Sequence, residues 1–240
     1  MPNWVNNEIT VEQGDAKSFF EFMKSKDSPF DFNNLIPMPE ALKDTCSPSR
    51  PVPDSEIEEA VKKWKQEKEK HEKNKSTEFL FNKPISVSES KGLIEKYGHD
   101  NWYDWSVNNW GTKWNAGYPQ MIEDTTISFK TAWSPPEEIY HAIAKKFPDM
   151  VFGVTWEEEQ GFGADCGIEE GEYYEIEAWE APNPDEVEEI LDEELEYSIV
   201  IFKLEDHPRY EDGFYIDYVS EETYCETIEE AREMAKKELE

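Results

Sequence analysis

The sequence predicts a folded α+β protein in which strands alternate with amphipathic helices. Apolar and polar residues alternate in several short segments, as in half-buried strands, whereas other segments place apolar residues at helical spacing behind capping residues. Aromatic residues make up 14% of the 240 residues, and their rings supply the buried area that a disordered acidic chain lacks. A chain of this length can form one main core with a small appended unit.

Each element of the first half follows from such a pattern. Val5, Ile9 and Val11 alternate with polar residues near the start of the chain, and Ser55 and Glu58 are spaced as a capping box. The helix that this box begins becomes entirely polar in its second half, so we expect a solvated helix there. The predicted elements are a strand over 3–12, a helix over 16–26, a charged helical insertion at about 54–75 and a helix over 89–97.

The second half predicts more strands and two well-capped helices. Ser134 and Glu137 frame two prolines as a capping box, and Thr227 and Glu230 form a second box. We expect one domain over 1–180 and an appendage over 181–240. The predicted elements are strands over 125–132, 150–158, 164–168 and 172–179, a helix over 134–147, an acidic helix over 185–196, and a ββα unit with strands over 197–204 and 213–219.

The formal net charge of −32 is distributed unevenly along the chain. Residues 1–146 carry 24 acids and 19 bases, whereas residues 147–202 carry 19 acids and neither Lys nor Arg. Such a field repels nucleic acid and anionic membranes, because binding to either depends on basic side chains. The same field attracts a protein with a basic surface, although solubility alone is the simpler interpretation of it.

No motif predicts a cofactor, a metal site or a catalytic residue. Cys46, Cys166 and Cys225 are widely separated, and the four histidines are isolated from one another, so neither a disulfide framework nor a metal site is expected. A Cys166 nucleophile with His207 as its base would require the fold to bring the two together, and an inert thiol is the simpler expectation. With no apolar run of membrane-spanning length and no signal peptide, we expect a cytoplasmic protein.

Four tryptophans fall within thirteen residues, namely Trp102, Trp105, Trp110 and Trp114. Aromatic faces stack with nucleic-acid bases when basic side chains accompany them, but Lys113 is the only cation in this segment. We therefore expect the cluster to be structural and to pack against the sheet. If the rings reach the surface instead, they form a hot spot for a protein partner.

The acidic helix is the predicted partner-binding element, because its carboxylates avoid the apolar face formed by Val187, Ile190, Leu191 and Leu195. Eight carboxylates fall within residues 185–196. In a helix this places one charge per about 2.3 Å, against one per about 1.7 Å of duplex DNA, which makes nucleic-acid mimicry one interpretation. A solvated acidic face gives the same pattern. The residues expected to bind a partner are Glu186, Glu189, Asp192, Glu193 and Glu196.

Four short motifs carry a family resemblance. They are M-P-N-W at the start of the chain, F-D-F-N-N-L-I-P-M-P-E over 30–40, W-Y-D-W-S-V-N-N-W-G-T-K-W over 102–114 and T-A-W-S-P-P over 131–136. In this order they resemble the YubB-like family of small plasmid and phage proteins. The resemblance implies a ferredoxin-like domain over about 1–180, with an antiparallel sheet and helices on one face, but no established activity. Two positions depart from the family: members often carry Cys in place of Val5 and an acidic residue in place of Asn115.

The resemblance and the charge together predict a non-enzymatic accessory protein of a phage or plasmid. We expect it to bind a host protein with a basic surface through its acidic half, as a counter-defence inhibitor or nucleic-acid mimic, without direct nucleic-acid or membrane binding. Two alternatives remain open at this point. One is a hydrolase-type enzyme whose dispersed carboxylates converge in the fold, and the other is a structural component of a particle.

Overall fold

The chain forms two compact units in a computed structural model, which describes residues 3–74, 82–180, 185–192, 197–204, 212–216 and 224–239. Unit 1 comprises Met1–Glu158 and Asp165–Ile176, and unit 2 comprises Glu159–Ala164 and Glu177–Glu240. None of the described helices is both long and apolar enough to cross a membrane.

A six-stranded sheet has the order β2-β3-β1-β4-β5-β6. Strand β1 is central and pairs antiparallel with both β3 and β4, and β2 pairs antiparallel with β3. The first four strands and two helices, α1 (Ala16–Met23) and α5 (Glu137–Lys146), follow one another as β-α-β-β-α-β, which is the ferredoxin-like arrangement. The predicted α+β, ferredoxin-like class is therefore confirmed. The strands are β1 (Trp4–Gln13), β2 (Gly117–Glu123), β3 (Thr126–Ala132), β4 (Val151–Glu158), β5 (Gly163–Glu169) and β6 (Glu172–Trp179).

Short polar side chains set the starts of several helices. The Asp15 carboxylate accepts a hydrogen bond from the Ser18 amide at 3.1 Å, and the Asn101 side chain accepts one from the Asp104 amide at 2.9 Å. Gly111 ends α4 (Trp102–Trp110) in the left-handed conformation, and a Cβ there would lie 3.0 Å from the Glu137 nitrogen. The helices are α1 (Ala16–Met23), α2 (Ile57–Asn74), α3 (Val87–Tyr97), α4 (Trp102–Trp110), α5 (Glu137–Lys146) and α6 (Ile228–Leu239).

Aromatic rings fill the core of unit 1. The rings of Phe30 and Phe129 stack with centroids 4.9 Å apart, and Phe19 meets Phe152 edge to face, also at 4.9 Å. All four side chains are essentially inaccessible to solvent. The high aromatic content therefore forms the core that the sequence predicted.

A buried polar network crosses the centre of the same sheet. Asn7, in the middle of β1, is 2% exposed. Its amide nitrogen donates to the Val5 carbonyl and to the Thr131 hydroxyl, both at 2.9 Å, and its amide oxygen accepts from the Tyr140 hydroxyl at 2.7 Å. The side chain of Asn7 thus satisfies polar groups on two strands and on α5.

Unit 2 contains a small antiparallel sheet with the order β7-β8-β9. Its buried residues include Ile199, Ile216 and Ala235 in one cluster, and Ile201 and Ala231 in another. Helix α6 supplies the two alanines and therefore contributes to the core of this unit. The strands are β7 (Asp185–Asp192), β8 (Tyr197–Leu204) and β9 (Gly213–Ile216).

The predicted acidic helix is wrong over the described residues, because Asp185–Asp192 is strand β7. It pairs with β8 from Asp185 opposite Lys203 to Asp192 opposite Tyr197. A helix here would stack like charges four residues apart, which destabilises helices, and β8 offers an Ile-Val-Ile run to pair with. A bulge between Glu186 and Glu188 breaks the strict alternation that would have indicated a strand.

The strand geometry also removes the argument for nucleic-acid mimicry along this segment. Eight residues of strand span about 26 Å, so the five carboxylates of β7 lie about 5 Å apart along it, against about 1.7 Å for duplex DNA. The charge density that supported the mimic depended on a helix, and the described residues do not form one.

The predicted capping boxes have different outcomes. The Glu230 amide donates to the Thr227 hydroxyl at 3.3 Å, as expected. The Ser134 box is wrong, because α5 begins after Pro136 without a side-chain cap and the Ser134 hydroxyl instead donates to the Gly111 carbonyl at 2.6 Å. Ser134 therefore joins two loops rather than starting a helix.

Candidate interaction surface

The four motifs that are far apart in the sequence meet in one region of unit 1. Each of the other three motifs contacts the segment over 102–114, so this segment is the centre of the region. The joining contacts are the hydrogen bond from the Trp110 indole to the Ile36 carbonyl (2.8 Å), the hydrogen bond from Ser134 to Gly111 (2.6 Å) and the ring contact of Trp4 with Trp114 (6.0 Å).

Asn115 fixes the end of this segment to the loop that begins at Asp31. Its amide nitrogen donates to the Asp31 carboxylate at 2.7 Å, and its oxygen accepts from the Phe32 amide at 2.9 Å. Burial opposes ionisation of Asp31, but the hydrogen bonds from Asn115 and Asn33 outweigh it and hold the pKa of Asp31 below its usual value. An acidic residue at position 115 could not donate this hydrogen bond while ionised.

Five aromatic rings and one lysine form a connected set in this region. We call this set the aromatic–lysine surface. Although large and apolar, three of its rings are well exposed: Trp114 is 39%, Trp133 is 48% and Tyr118 is 77% accessible. Exposed aromatic groups of this size mark interaction sites more often than isolated apolar side chains do. The members are Trp4, Tyr103, Lys113, Trp114, Tyr118 and Trp133.

The ammonium group of Lys113 lies over three of these rings. Its Nζ is 4.3 Å from the ring centroid of Trp114, 4.6 Å from that of Trp133 and 5.8 Å from that of Tyr103. These distances are in the range of cation–π attraction. Lys113 forms no ion pair with any residue that the structure describes, and its described contacts are with these rings.

Two residues of the aromatic–lysine surface have left-handed backbone conformations. Among the described non-glycine residues, positive φ angles occur at Tyr118 (50°), Trp133 (72°) and Glu170 (53°). This conformation costs an L-residue about 1–2 kcal/mol, and it is unusual for a bulky side chain. Such strain is concentrated at functional sites in proteins.

Replacing Tyr118 with asparagine is expected to raise the free energy of unfolding by about 0.5–1 kcal/mol, because asparagine tolerates the left-handed conformation better. Little burial is lost, since the Tyr118 side chain is 77% exposed. Urea unfolding followed by circular dichroism measures the change. Gln120→Asn in the same strand is the control, because Gln120 has no positive φ. A Tyr118→Asn protein less stable than this control would show that the tyrosine supports the fold.

Comparison with known families is consistent with this architecture. Residues 109–199 match the family model described as a ferredoxin-like domain in Api92-like protein. The matched domain is ferredoxin-like. The match begins within the segment of Trp110 and includes α5, strands β2 to β7 and the first residues of β8, whereas β1 and α1 lie before it. The chain has no significant match among curated proteins or among solved structures.

The four clustered tryptophans divide between the core and the surface of this ferredoxin-like domain. Trp105 and Trp110 are only 5% and 4% exposed, whereas Trp102 is half-buried and Trp114 is exposed. Trp105 and Trp110 are therefore core residues, and a hot spot for a protein partner stays a prediction for the exposed Trp114. The sequence did not indicate that Tyr103, Trp133, Tyr118 and Trp4 join Trp114, although three of these lie in the quoted motifs.

The carboxylates predicted to bind a partner are only partly described. Glu186 and Glu189 are exposed on β7, and Asp192 is the last residue of that strand. Glu193 and Glu196 lie outside the described residues. Glu186 and Glu189 therefore lie on a strand that pairs with β8, and not on one face of a helix.

A second group of exposed carboxylates lies at the β5–β6 turn of unit 1. Glu170 and Gly171 both have positive φ angles, as in the tight turns that favour hairpins. All the carboxylates of this turn and its flanks are exposed, and no base lies among them. We call this group the acidic hairpin, and its members are Glu169, Glu170, Glu172 and Glu175.

Cys166 does not have the properties of a catalytic nucleophile. Its side chain is 2% exposed, and it accepts a hydrogen bond from the Tyr173 hydroxyl at 3.2 Å. Burial raises the pKa of the Cys166 thiol, so the thiol stays protonated. His207 lies outside the described residues. In the described part of the chain, no three His, Cys, Asp or Glu side chains are grouped so that they could hold a metal ion.

Proposed function

We propose that this protein is a non-enzymatic accessory protein of a phage or plasmid, related to the YubB-like family. In this proposal it binds a host protein that carries a basic surface, and it contacts that protein through its acidic second half. Inhibition of a host defence protein is the role that we propose for the binding.

The observation that carries the proposal is the segregation of charge. Residues 147–202 hold 19 acids without any Lys or Arg, although residues 1–146 hold 24 acids and 19 bases. Solubility requires a net charge but not a segment of 56 residues without any base. The carboxylates of the acidic hairpin lie in this segment and are exposed, as are those of Glu186 and Glu189.

A protein partner fits this field better than nucleic acid does. Exposed carboxylates raise the local concentration of cationic surfaces and speed their encounter at low salt. Phosphates are repelled by the same charges, because nucleic-acid binding requires basic side chains that displace counterions. The assignment to a mobile element rests on the four motifs, which meet at one region of the ferredoxin-like domain.

The proposal is tested by capture from a host-cell lysate with the immobilised full-length chain at low and moderate salt. One variant carries Glu169→Lys, Glu172→Lys and Glu175→Lys, and a second carries Glu186→Lys and Glu189→Lys. We expect specific host proteins bound by the unmodified chain to be lost from at least one variant. Identification of the lost proteins as basic ones would support the charge mechanism.

The control carries Asp27→Lys, Glu69→Lys and Glu95→Lys, which are exposed carboxylates of the first 146 residues. It changes the total charge as much as the hairpin variant does, so it separates a local contact from the overall field. The proposal fails if no host protein is captured at either salt concentration, or if both acidic variants capture the same proteins as the control.

A further inference from the structure

The aromatic–lysine surface has no role in the binding proposed above, since its one charged group is a cation. It also lies in the half of the chain whose acids and bases are nearly balanced, with 24 and 19 of them. Its rings are in contact from Tyr118 through Trp4 to Trp114, at centroid distances of 6.0 Å each. The surface therefore needs an explanation of its own.

The position of Lys113 gives this surface a defined electrostatic character. Its ammonium group lies within 4.6 Å of two indole ring centres but is not paired with any carboxylate of the described residues. Ring faces attract the charge but do not replace hydrogen-bond acceptors, and an ammonium group carries three donors. The N–H donors of the Lys113 ammonium group can therefore bind an anionic oxygen placed between the two indoles.

The backbone is strained at Trp133, beside this cation. Trp133 keeps a φ of 72° while its ring remains 48% exposed. A glycine or asparagine would adopt the same conformation at lower cost. The tryptophan ring is thus held beside Lys113 at the surface, where an incoming group would contact it.

We propose that the aromatic–lysine surface binds an acidic side chain of a partner protein, presented between apolar side chains. The carboxylate pairs with Lys113, and the flanking apolar groups cover Trp114 and Trp133. Charge complementarity selects this chemistry, because a basic partner would be repelled by Lys113. A nucleic acid would require further cations along its phosphates, and the surface contains only one.

The test uses the blocked pentapeptide ALELA as a probe of the full-length chain, with ALQLA as its uncharged match. Binding is followed by the indole N–H signals in nitrogen-15 NMR spectra, and Trp114→Phe and Trp133→Phe variants assign the two signals. We expect ALELA at millimolar concentration to shift both signals and ALQLA to bind about tenfold more weakly, since one charge-assisted hydrogen bond is lost. Lys113→Met should remove the preference for ALELA, and Lys113→Arg should keep it.

Lys113→Met keeps every ring of the surface. In this variant the indole N–H signals of the tryptophans other than Trp114 and Trp133 show directly whether the fold is intact. The proposal is overturned if ALELA shifts neither signal, or if the two peptides bind the unmodified chain equally. It is also overturned if sodium acetate alone binds as tightly as ALELA, which would indicate an adventitious ion only. Loss of the host contacts made by the acidic hairpin would leave all these results unchanged, so the two proposals fail independently.

Discussion

Replacing Trp110 with alanine is expected to lower the free energy of unfolding of unit 1 by about 4 kcal/mol. The side chain is 4% exposed, and its ring meets Phe32 and Trp105 edge to face at centroid distances of 5.9 and 5.5 Å. Removing the ring leaves a cavity and also leaves the Ile36 carbonyl without the indole N–H that lies 2.8 Å away. Urea unfolding of the full chain followed by far-ultraviolet circular dichroism measures the loss.

Trp114→Ala is the matched control, since the same ring is removed from a side chain that is 39% exposed. We expect this change to cost about 1 kcal/mol or less. Equal unfolding midpoints for the two variants would contradict the division of the tryptophans into core and surface. Both proteins should retain a cooperative transition, because the other core rings are unchanged.

Replacing Asn7 with leucine is expected to cost about 3 kcal/mol, although leucine has nearly the same size. The substitution removes hydrogen bonds to Val5, Thr131 and Tyr140. Tyr140 is completely buried, so its hydroxyl would have lost the acceptor that lies 2.7 Å away. A buried polar group without a partner costs more than the mean value of a hydrogen bond.

A double-mutant cycle with Tyr140→Phe tests this explanation. Tyr140→Phe alone should cost about 1–2 kcal/mol. Adding it to Asn7→Leu should cost almost nothing, because it removes the Tyr140 hydroxyl that Asn7→Leu has left without an acceptor. Urea unfolding of the four proteins gives the coupling energy. Additive effects would show that Asn7 stabilises the sheet without its bond to Tyr140.

Part of the ferredoxin-like domain was predictable because its local patterns agree with its tertiary contacts, whereas β2 and α4 were not among the predicted elements. Alternation at Val5, Ile9 and Val11 predicted β1, and all three side chains are buried in the sheet. The helix over 57–74 likewise follows from its apolar first turns and charged remainder. In such segments the burial of one face and the local propensity favour the same element.

The acidic strand β7 was not predictable from its own residues. Val187, Ile190 and Leu191 have helical spacing, but pairing with β8 and the bulge after Glu186 determine the structure. The partner strand β8 follows β7 after four residues, but no property of residues 185–192 alone reveals that they pair with it as a strand. Strand formation depends more on neighbouring strands than helix formation does.

The candidate site shows a similar division. The sequence indicated four tryptophans near Lys113 but could not distinguish the buried Trp110 from the exposed Trp114, because both lie within three residues of Gly111, where α4 ends. Trp133 lies beside Lys113 where the loop after β3 returns to the end of α4, and the Ser134–Gly111 hydrogen bond joins the two segments. Contacts between distant segments of this kind leave no local pattern.

The central position of β1 has a consequence for the order in which the domain can form during synthesis. Thr10 on β1 contacts Thr126 on β3 at a separation of 116 residues, and Asn7 contacts Tyr140 at a separation of 133. At ribosomal rates of about 5–20 residues per second, the first strand therefore waits on the order of ten seconds for its partners. The apolar face of β1 is accessible to chaperones during that time. Because contacts between residues so distant in the chain form slowly, the domain folds after its last strands are synthesised and not step by step during synthesis.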